Sequence, residues 1–166
     1  MRALDYRGDT IVEVIISLAV LALAFTISYA TAQKSIVDIQ NTQEHSFALE
    51  TLDSQMQELI YYNNTSNVSS YANGQSFCMR VTSPSGIGKL TIPSGATPNN
   101  TKWPSGCTTQ QIASFAYYYK ITVTNIVPMN GNTLQQVFFK ISIYWNGLGN
   151  LGNQTEVLYY KDYQAG

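Results

Sequence analysis

The amino-acid sequence predicts an α+β fold in which one long N-terminal helix is followed by an antiparallel β-sheet. Three observations support this order. The stretch from Asp9 to Asn73 contains no glycine and no proline, the residues that most often interrupt helices. Within that stretch, Val14 to Gln33 carries no charge. The last third of the chain alternates apolar and polar residues with the period of two that is typical of strands.

The overall composition limits the classes of function. The 166 residues include one histidine and two cysteines, which is little material for a metal site or a histidine-dependent reaction. A formal net charge of −1 gives no bulk attraction to nucleic acid. No phosphate-binding loop, zinc-protease motif or nucleophile elbow occurs in the sequence. We therefore expect no enzyme, no catalytic residue, no cofactor, no metal and no specific nucleic-acid partner.

The uncharged segment from Val14 to Gln33 is apolar on every helical face. A helix of this length rises about 30 Å, the thickness of the hydrocarbon core of a bilayer, so the segment can span a membrane. One interpretation is a secretory signal peptide cut after Ala32, but such peptides begin with a basic flank, and acidic residues outnumber arginines before Val14. A plain membrane anchor is the second interpretation, and it leaves Glu13 unexplained. The third follows from the residues around Gly8.

The helix is predicted to continue beyond the apolar segment and to run from about Thr10 to about Tyr62. After Lys34 the chain becomes polar but stays free of glycine and proline. His45 lies among polar residues and is expected to be exposed. Apolar residues recur at intervals of three and four, which places them on one stripe of an amphipathic helix. These residues are Leu49, Leu52, Met56 and Leu59.

Segments with a period of two predict an antiparallel meander near the C-terminus. They run from Phe115 to Thr124, from Gln136 to Trp145 and from Thr155 to Tyr160, and shorter strands are expected at Phe77–Val81 and Gly88–Ile92. The expected apolar faces comprise Phe115, Tyr117, Tyr119, Ile121 and Val123 in one strand and Val137, Phe139, Ile141, Ile143 and Trp145 in the next. Tyr118 and Tyr144 fall on the opposite face, where we expect contact with another subunit or a surface glycan.

Both cysteines lie after the predicted helix. Cys78 and Cys107 flank a segment rich in Ser, Pro, Gly and Thr, which beyond a membrane segment is typical of a disulfide in an oxidising compartment. Two separate buried thiols are the alternative.

The charged residues are distributed unevenly. Residues 34–60 hold one basic and five acidic side chains, a net charge of −4, whereas residues 61–166 hold six basic and two acidic side chains, a net charge of +4. Attraction between copies of the chain and plain solvated faces are both open interpretations.

The residues around Gly8 resemble the processing site of type IV pilins and pseudopilins. The segment Arg7-Gly8-Asp9-Thr10-Ile11-Val12-Glu13 lies directly before the apolar helix. In that family a basic residue and a glycine precede the cut, a small hydroxyl residue is common second after it, and a glutamate is fifth, as Gly8, Thr10 and Glu13 are here. Asp9 departs from the Phe or Met usual at the first mature position. The segment is also similar to pilin-like proteins of ultrasmall, host-dependent bacteria.

The resemblance implies a pilin-like organisation. A leader of residues 1–8 would be removed by prepilin peptidase between Gly8 and Asp9, with methylation of the new amino terminus. Residues 9–33 would form the transmembrane and filament-core helix, residues 34–62 an amphipathic continuation, and residues 63–166 the sheet domain. Glu13 would neutralise the amino group freed on Asp9 of a neighbouring subunit.

The function implied by the resemblance is that of a structural subunit of a type IV pilus-like surface filament, or fimbrium, that serves adhesion or twitching motility. Its partners would be copies of itself, other pilins, prepilin peptidase, and an assembly ATPase with its platform protein. It would reside in the plasma membrane before it reaches the cell surface. The alternatives are a pseudopilin of a type II secretion system, a competence pilin that takes up DNA, and a membrane-anchored or secreted binding domain that does not polymerise.

Overall fold

A computed structural model describes residues 9–65, 71–82, 86–98, 100–111, 115–129, 134–147 and 153–165. Helix α1 spans Asp9–Thr65, and the chain divides within it into two compact units, Met1–Thr42 and Gln43–Gly166. The strands that follow are β1 (Ser76–Thr82), β2 (Gly86–Thr91), β3 (Thr108–Gln111), β4 (Phe115–Pro128), β5 (Leu134–Asn146) and β6 (Asn153–Ala165). A short 3₁₀ turn at Ser105–Cys107 precedes β3.

The predicted α+β fold is confirmed. Helix α1 begins at Asp9, one residue before the predicted start, and ends at Thr65, three residues beyond the predicted end. No glycine or proline before Gly74 interrupts it. The six strands form one antiparallel sheet in the order β2-β1-β4-β5-β6, and β3 pairs with the first residues of β4. The sequence also predicts turns at 128–132 and 147–153, of which residues 130–132 and 148–152 lie outside the described residues. Strand β3 is not predicted, since its sequence Thr-Thr-Gln-Gln has no apolar alternation.

The core of the unit Gln43–Gly166 lies between α1 and one face of the sheet. Ala48, Leu52 and Leu59 of α1 are at most 2% exposed and belong to the same apolar cluster as the sheet residues. From β4 and β5 the cluster takes Tyr117, Ile121, Val123, Val137, Phe139, Ile141, Ile143 and Trp145. These residues have the alternation predicted for both strands. Tyr119 packs against the cluster while half-buried, and the side chain of Phe115 lies outside the described part of the chain.

The prediction is wrong for one member of the apolar helix stripe. Leu49 is 56% exposed, and the buried stripe instead passes through Glu44, Ala48 and Gln55. The sequence prediction follows apolar residues only, whereas the structure buries two polar residues on this stripe. Leu49 lines a shallow cleft of about 310 Å³ beside Val157 and Leu158 of β6.

Gln55 takes the place of a neighbouring strand beside β1. The pairing of β1 with β4 covers only Ser76 and Phe77, so the backbone of Met79 has no partner strand on that side. The side-chain amide of Gln55 accepts a hydrogen bond from the Met79 N–H at 3.0 Å and donates one to the Met79 carbonyl at 3.3 Å. This pair of bonds satisfies buried backbone groups that would otherwise cost free energy.

Two neighbouring helix residues attach α1 to the far strands. The indole N–H of Trp145 donates to the buried Glu44 carboxylate at 3.0 Å. His45 is half-buried rather than exposed as predicted: its Nδ1 lies 2.8 Å from the Glu156 carboxylate, and its ring contacts the Trp145 ring edge-on at 5.2 Å. The sequence prediction fails here because Glu156 is 111 residues away in the chain.

Replacing Gln55 tests its role as a strand substitute. We expect Gln55→Leu to lower the free energy of unfolding by at least about 2 kcal/mol, because two buried backbone groups lose their partner. The measurement is urea unfolding of the full chain in non-ionic detergent, followed by tryptophan fluorescence. The matched control Gln57→Leu, at an exposed site on the same helix, should change the value by less than about 0.5 kcal/mol. Equal effects of the two variants would contradict this role.

The stability of the fold is expected to depend on pH through Glu58. Burial raises the pKa of its carboxyl group, and hydrogen bonds from Gln55 and Ser54 oppose part of that rise. A carboxyl group with a raised folded-state pKa stabilises the fold when protonated, and that contribution is lost as the pH rises through the folded-state pKa.

We therefore expect Glu58→Gln to be more stable than the native chain at neutral pH, by no more than about 1 kcal/mol because solvent screens the half-exposed group. The difference should shrink as the pH falls below the ordinary range of a carboxyl group. Unfolding curves of both proteins across this pH range provide the measurement. A variant that is less stable at neutral pH would show that the hydrogen bonds outweigh burial.

Candidate functional site

The apolar part of α1 has no covering structure among the described residues. Every residue from Ile11 to Gln40 is exposed, and the large apolar side chains of this segment are 48–69% accessible. They are Ile11, Val12, Val14, Ile15, Ile16, Leu18, Val20, Leu21, Leu23, Phe25, Ile27, Tyr29, Ile36, Val37 and Ile39. Soluble monomers rarely expose contiguous apolar surface of this extent. The segment is long and apolar enough to cross a membrane, with a mean hydropathy of 2.5, and it is consistent with membrane anchoring.

Three hydroxyl groups within this segment are satisfied by the backbone of the helix itself. Thr26, Ser28 and Thr31 each donate to the carbonyl four residues earlier at 2.8 Å. In hydrocarbon a polar group without a partner costs several kcal/mol, and water cannot supply one. These three side chains can therefore be buried in lipid or in a bundle of apolar helices without a partner from another element.

Glu13 is the one charged side chain between Ile11 and Gln33. It lies on the exposed surface of α1 between Val12 and Val14. Within the described part of the chain it has no salt bridge, since the ion pair found there joins His45 and Glu156. A carboxylate at the boundary of an apolar segment is costly in a membrane and usually meets a partner there. Any charged partner of Glu13 therefore lies outside the described residues or on another molecule.

The other residues of the predicted processing site are only partly described. Asp9 is the first residue of α1, one helical turn before Glu13. Gly8 and the predicted leader, residues 1–8, lie outside the described residues. Cleavage between Gly8 and Asp9 thus stays a prediction.

The predicted disulfide is present between Cys78 and Cys107, whose Cα atoms are 5.6 Å apart. It closes a loop in which the Trp103 indole donates to the Cys107 carbonyl at 3.1 Å. Trp103 meets the predicted contact residues edge-on, at 5.8 Å from Tyr118 and 6.4 Å from Tyr144. The two tyrosines are therefore half-buried against their own chain. Their contact with another subunit or a glycan stays a prediction.

The described residues bring together no group of three His, Cys, Asp or Glu side chains that could hold a metal ion. The chemistry that this region can perform is association, through apolar burial along α1 and through the charge of Glu13. No protein-family model matches the chain, and neither a curated protein nor a solved structure matches it. Its function must therefore be inferred from its own residues and contacts.

Proposed function

We propose that the chain is a structural subunit of a type IV pilus-like surface filament, made as a prepilin, cut after Gly8 and polymerised through its N-terminal helix. The observation that carries the proposal is the combination within one helix of an uncovered apolar segment, 14–33, and a segment packed on an antiparallel sheet, 43–65. The first segment suits lipid before assembly and other copies of itself after assembly. The second fixes a sheet domain to it.

The apolar segment explains why such a subunit would move from membrane to filament. Its side chains are exposed in the single chain, so they must be buried against lipid tails or against similar helices. Both environments exclude water from the same surface. Transfer of the helix from lipid to filament would therefore change its exposed apolar surface very little. The equilibrium between membrane and filament would then depend on contacts that form only in the filament.

Glu13 would supply one of those contacts. Cleavage after Gly8 would free an amino group on Asp9, and in a bundle the Glu13 carboxylate of one subunit would pair with that amine on another. Such a pair is poorly solvated, so it would fix the axial position of the subunit more than it would add stability. Adhesion or twitching motility is the function proposed for the filament, with an assembly ATPase and platform protein as partners.

The mature N-terminus distinguishes this proposal from the other interpretations. We expect mass spectrometry of the protein purified from its native cells to show a chain that begins at Asp9. A chain that begins at Gln33 would indicate a cleaved signal peptide, and one that begins at Met1 would indicate a plain membrane anchor. Either result would contradict the pilin-like function.

Replacement of Glu13 tests its role in assembly. We expect Glu13→Leu to remain in the membrane while filament incorporation falls at least about tenfold, the effect of a loss of 1.4 kcal/mol in docking. Immunoblots of membrane and sheared-filament fractions provide the measurement. The matched control Ser17→Leu, one turn along the same exposed helix, should assemble normally. Normal filaments from Glu13→Leu would remove the proposed role of this carboxylate.

A further inference from the structure

The sheet has a second face, opposite to the core, on which Tyr118 and Tyr144 are predicted to contact another subunit or a glycan and no other residue has an assigned role. On β4, β5 and β6 this outer face comprises the residues that alternate with those of the apolar core, including the buried Ser142. It carries Lys120, Lys140 and Lys161, one lysine on each strand.

The outer face has no side-chain carboxylate. After Glu58 the whole sequence contains two acidic residues, Glu156 and Asp162. Both point to the helix side of the sheet, because Glu156 pairs with His45 at 2.8 Å and Asp162 accepts a hydrogen bond from Asn63 at 2.6 Å. The structure thus separates the two acidic residues from the lysines. A surface that carries only positive charges attracts anions.

The strand register arranges the three lysines in a line. Lys120 of β4 pairs with Ser142, and Lys140 lies two residues before Ser142 on β5. Lys140 pairs with Tyr159 of β6, and Lys161 lies two residues after Tyr159. Each step moves one strand across and two residues along, a diagonal distance of about 8 Å. The lysines therefore form a diagonal row that can follow an extended polyanion.

Exposed aromatic rings stand beside this row. Tyr159 and Tyr163 are 71% and 52% exposed, and the Lys161 ammonium lies 5.4 Å from the centre of the Tyr163 ring. The register of β4 shifts between Val123 and Asn125. Next to this bulge lies a cleft of about 390 Å³ whose lining includes Asn125, Phe138, Tyr159 and Lys161. An apolar, aromatic cleft beside a row of cations can hold a flat ring that is joined to phosphates.

We propose that the outer face binds single-stranded nucleic acid without base-sequence specificity, with phosphates along Lys120, Lys140 and Lys161 and a base in the cleft beside Tyr159. Single-strand binding surfaces combine these two features, a cationic path for the backbone and aromatic rings for the bases. The acidic residues of α1 in a second copy are the alternative partner of the lysines, and the experiments below distinguish the two. The net charge of −1 conceals the site because the acidic residues that the structure describes lie on α1 and on the helix side of the sheet. The binding does not depend on filament assembly.

The salt dependence of binding tests the phosphate contacts. The full chain in non-ionic detergent is titrated into a fluorescein-labelled oligothymidylate of about 15 nucleotides, and anisotropy is followed at several NaCl concentrations. Three phosphate contacts predict a slope of about −2 in a plot of log K against log salt concentration, since each contact to a single strand contributes about −0.7. Lys140→Gln should reduce the steepness by about 0.7, and Lys140→Arg should preserve it.

Control variants distinguish binding at the proposed site from a general effect of net charge or of any exposed tyrosine. Lys34→Gln changes the net charge equally at an exposed site on α1 and should leave the affinity unchanged. Tyr159→Leu should weaken binding at least about fivefold with the same salt slope, because a base loses its stacking partner. Tyr61→Leu, at an exposed tyrosine on α1, should have no effect.

Three results would overturn the inference. The first is equal loss of affinity in Lys34→Gln and Lys140→Gln, which would indicate bulk charge alone. The second is competition by inorganic polyphosphate as effective, charge for charge, as the oligonucleotide, which would show that the cleft holds no base. The third is self-association of the chain that Lys140→Gln abolishes while oligonucleotide binding is absent, which would assign the face to a second copy.

Discussion

The packing of Ala48, Leu52 and Leu59 against the sheet is the contact on which the unit Gln43–Gly166 depends. An antiparallel sheet with one apolar face requires a cover, and this stripe of α1 supplies it. The inward residues of β5 from Val137 to Trp145 are buried with it. Because α1 also contains the uncovered apolar segment, the same unbroken helix connects a membrane-compatible surface to a packed domain.

Polar contacts at this interface fix the position of the helix along the sheet. Glu44 reaches Trp145, Gln55 reaches the backbone of Met79, and Asn63 reaches Asp162. A shift of one helical turn, about 5.4 Å, would break all three and leave buried groups without partners. Apolar burial thus provides the stability of the interface, while these hydrogen bonds select one register out of several that apolar contact alone would accept.

Features that depend on local spacing could be predicted from the sequence, and features that depend on distant partners could not. The breaker-free stretch and the period of two predict α1 and the strands from β4 to β6, because each pattern repeats within a few residues. The burial of Gln55 depends on Met79, which lies 24 residues away, and therefore has no local signal. For the candidate site, the apolar segment and Glu13 are visible in the sequence. The line of Lys120, Lys140 and Lys161 is not, because it exists only once the strand register is known.

The disulfide between Cys78 and Cys107 has a mechanical consequence. In the proposed filament a subunit would bear tension, and a sheet domain under tension can be extended strand by strand. The sequence separation of the two cysteines is 29 residues, a contour length of about 100 Å when fully extended. While the bond is intact, the residues between the two cysteines, which include β2, cannot extend when the chain is stretched. If the chain is a filament subunit as proposed, the cross-link would limit how far one subunit can lengthen under load.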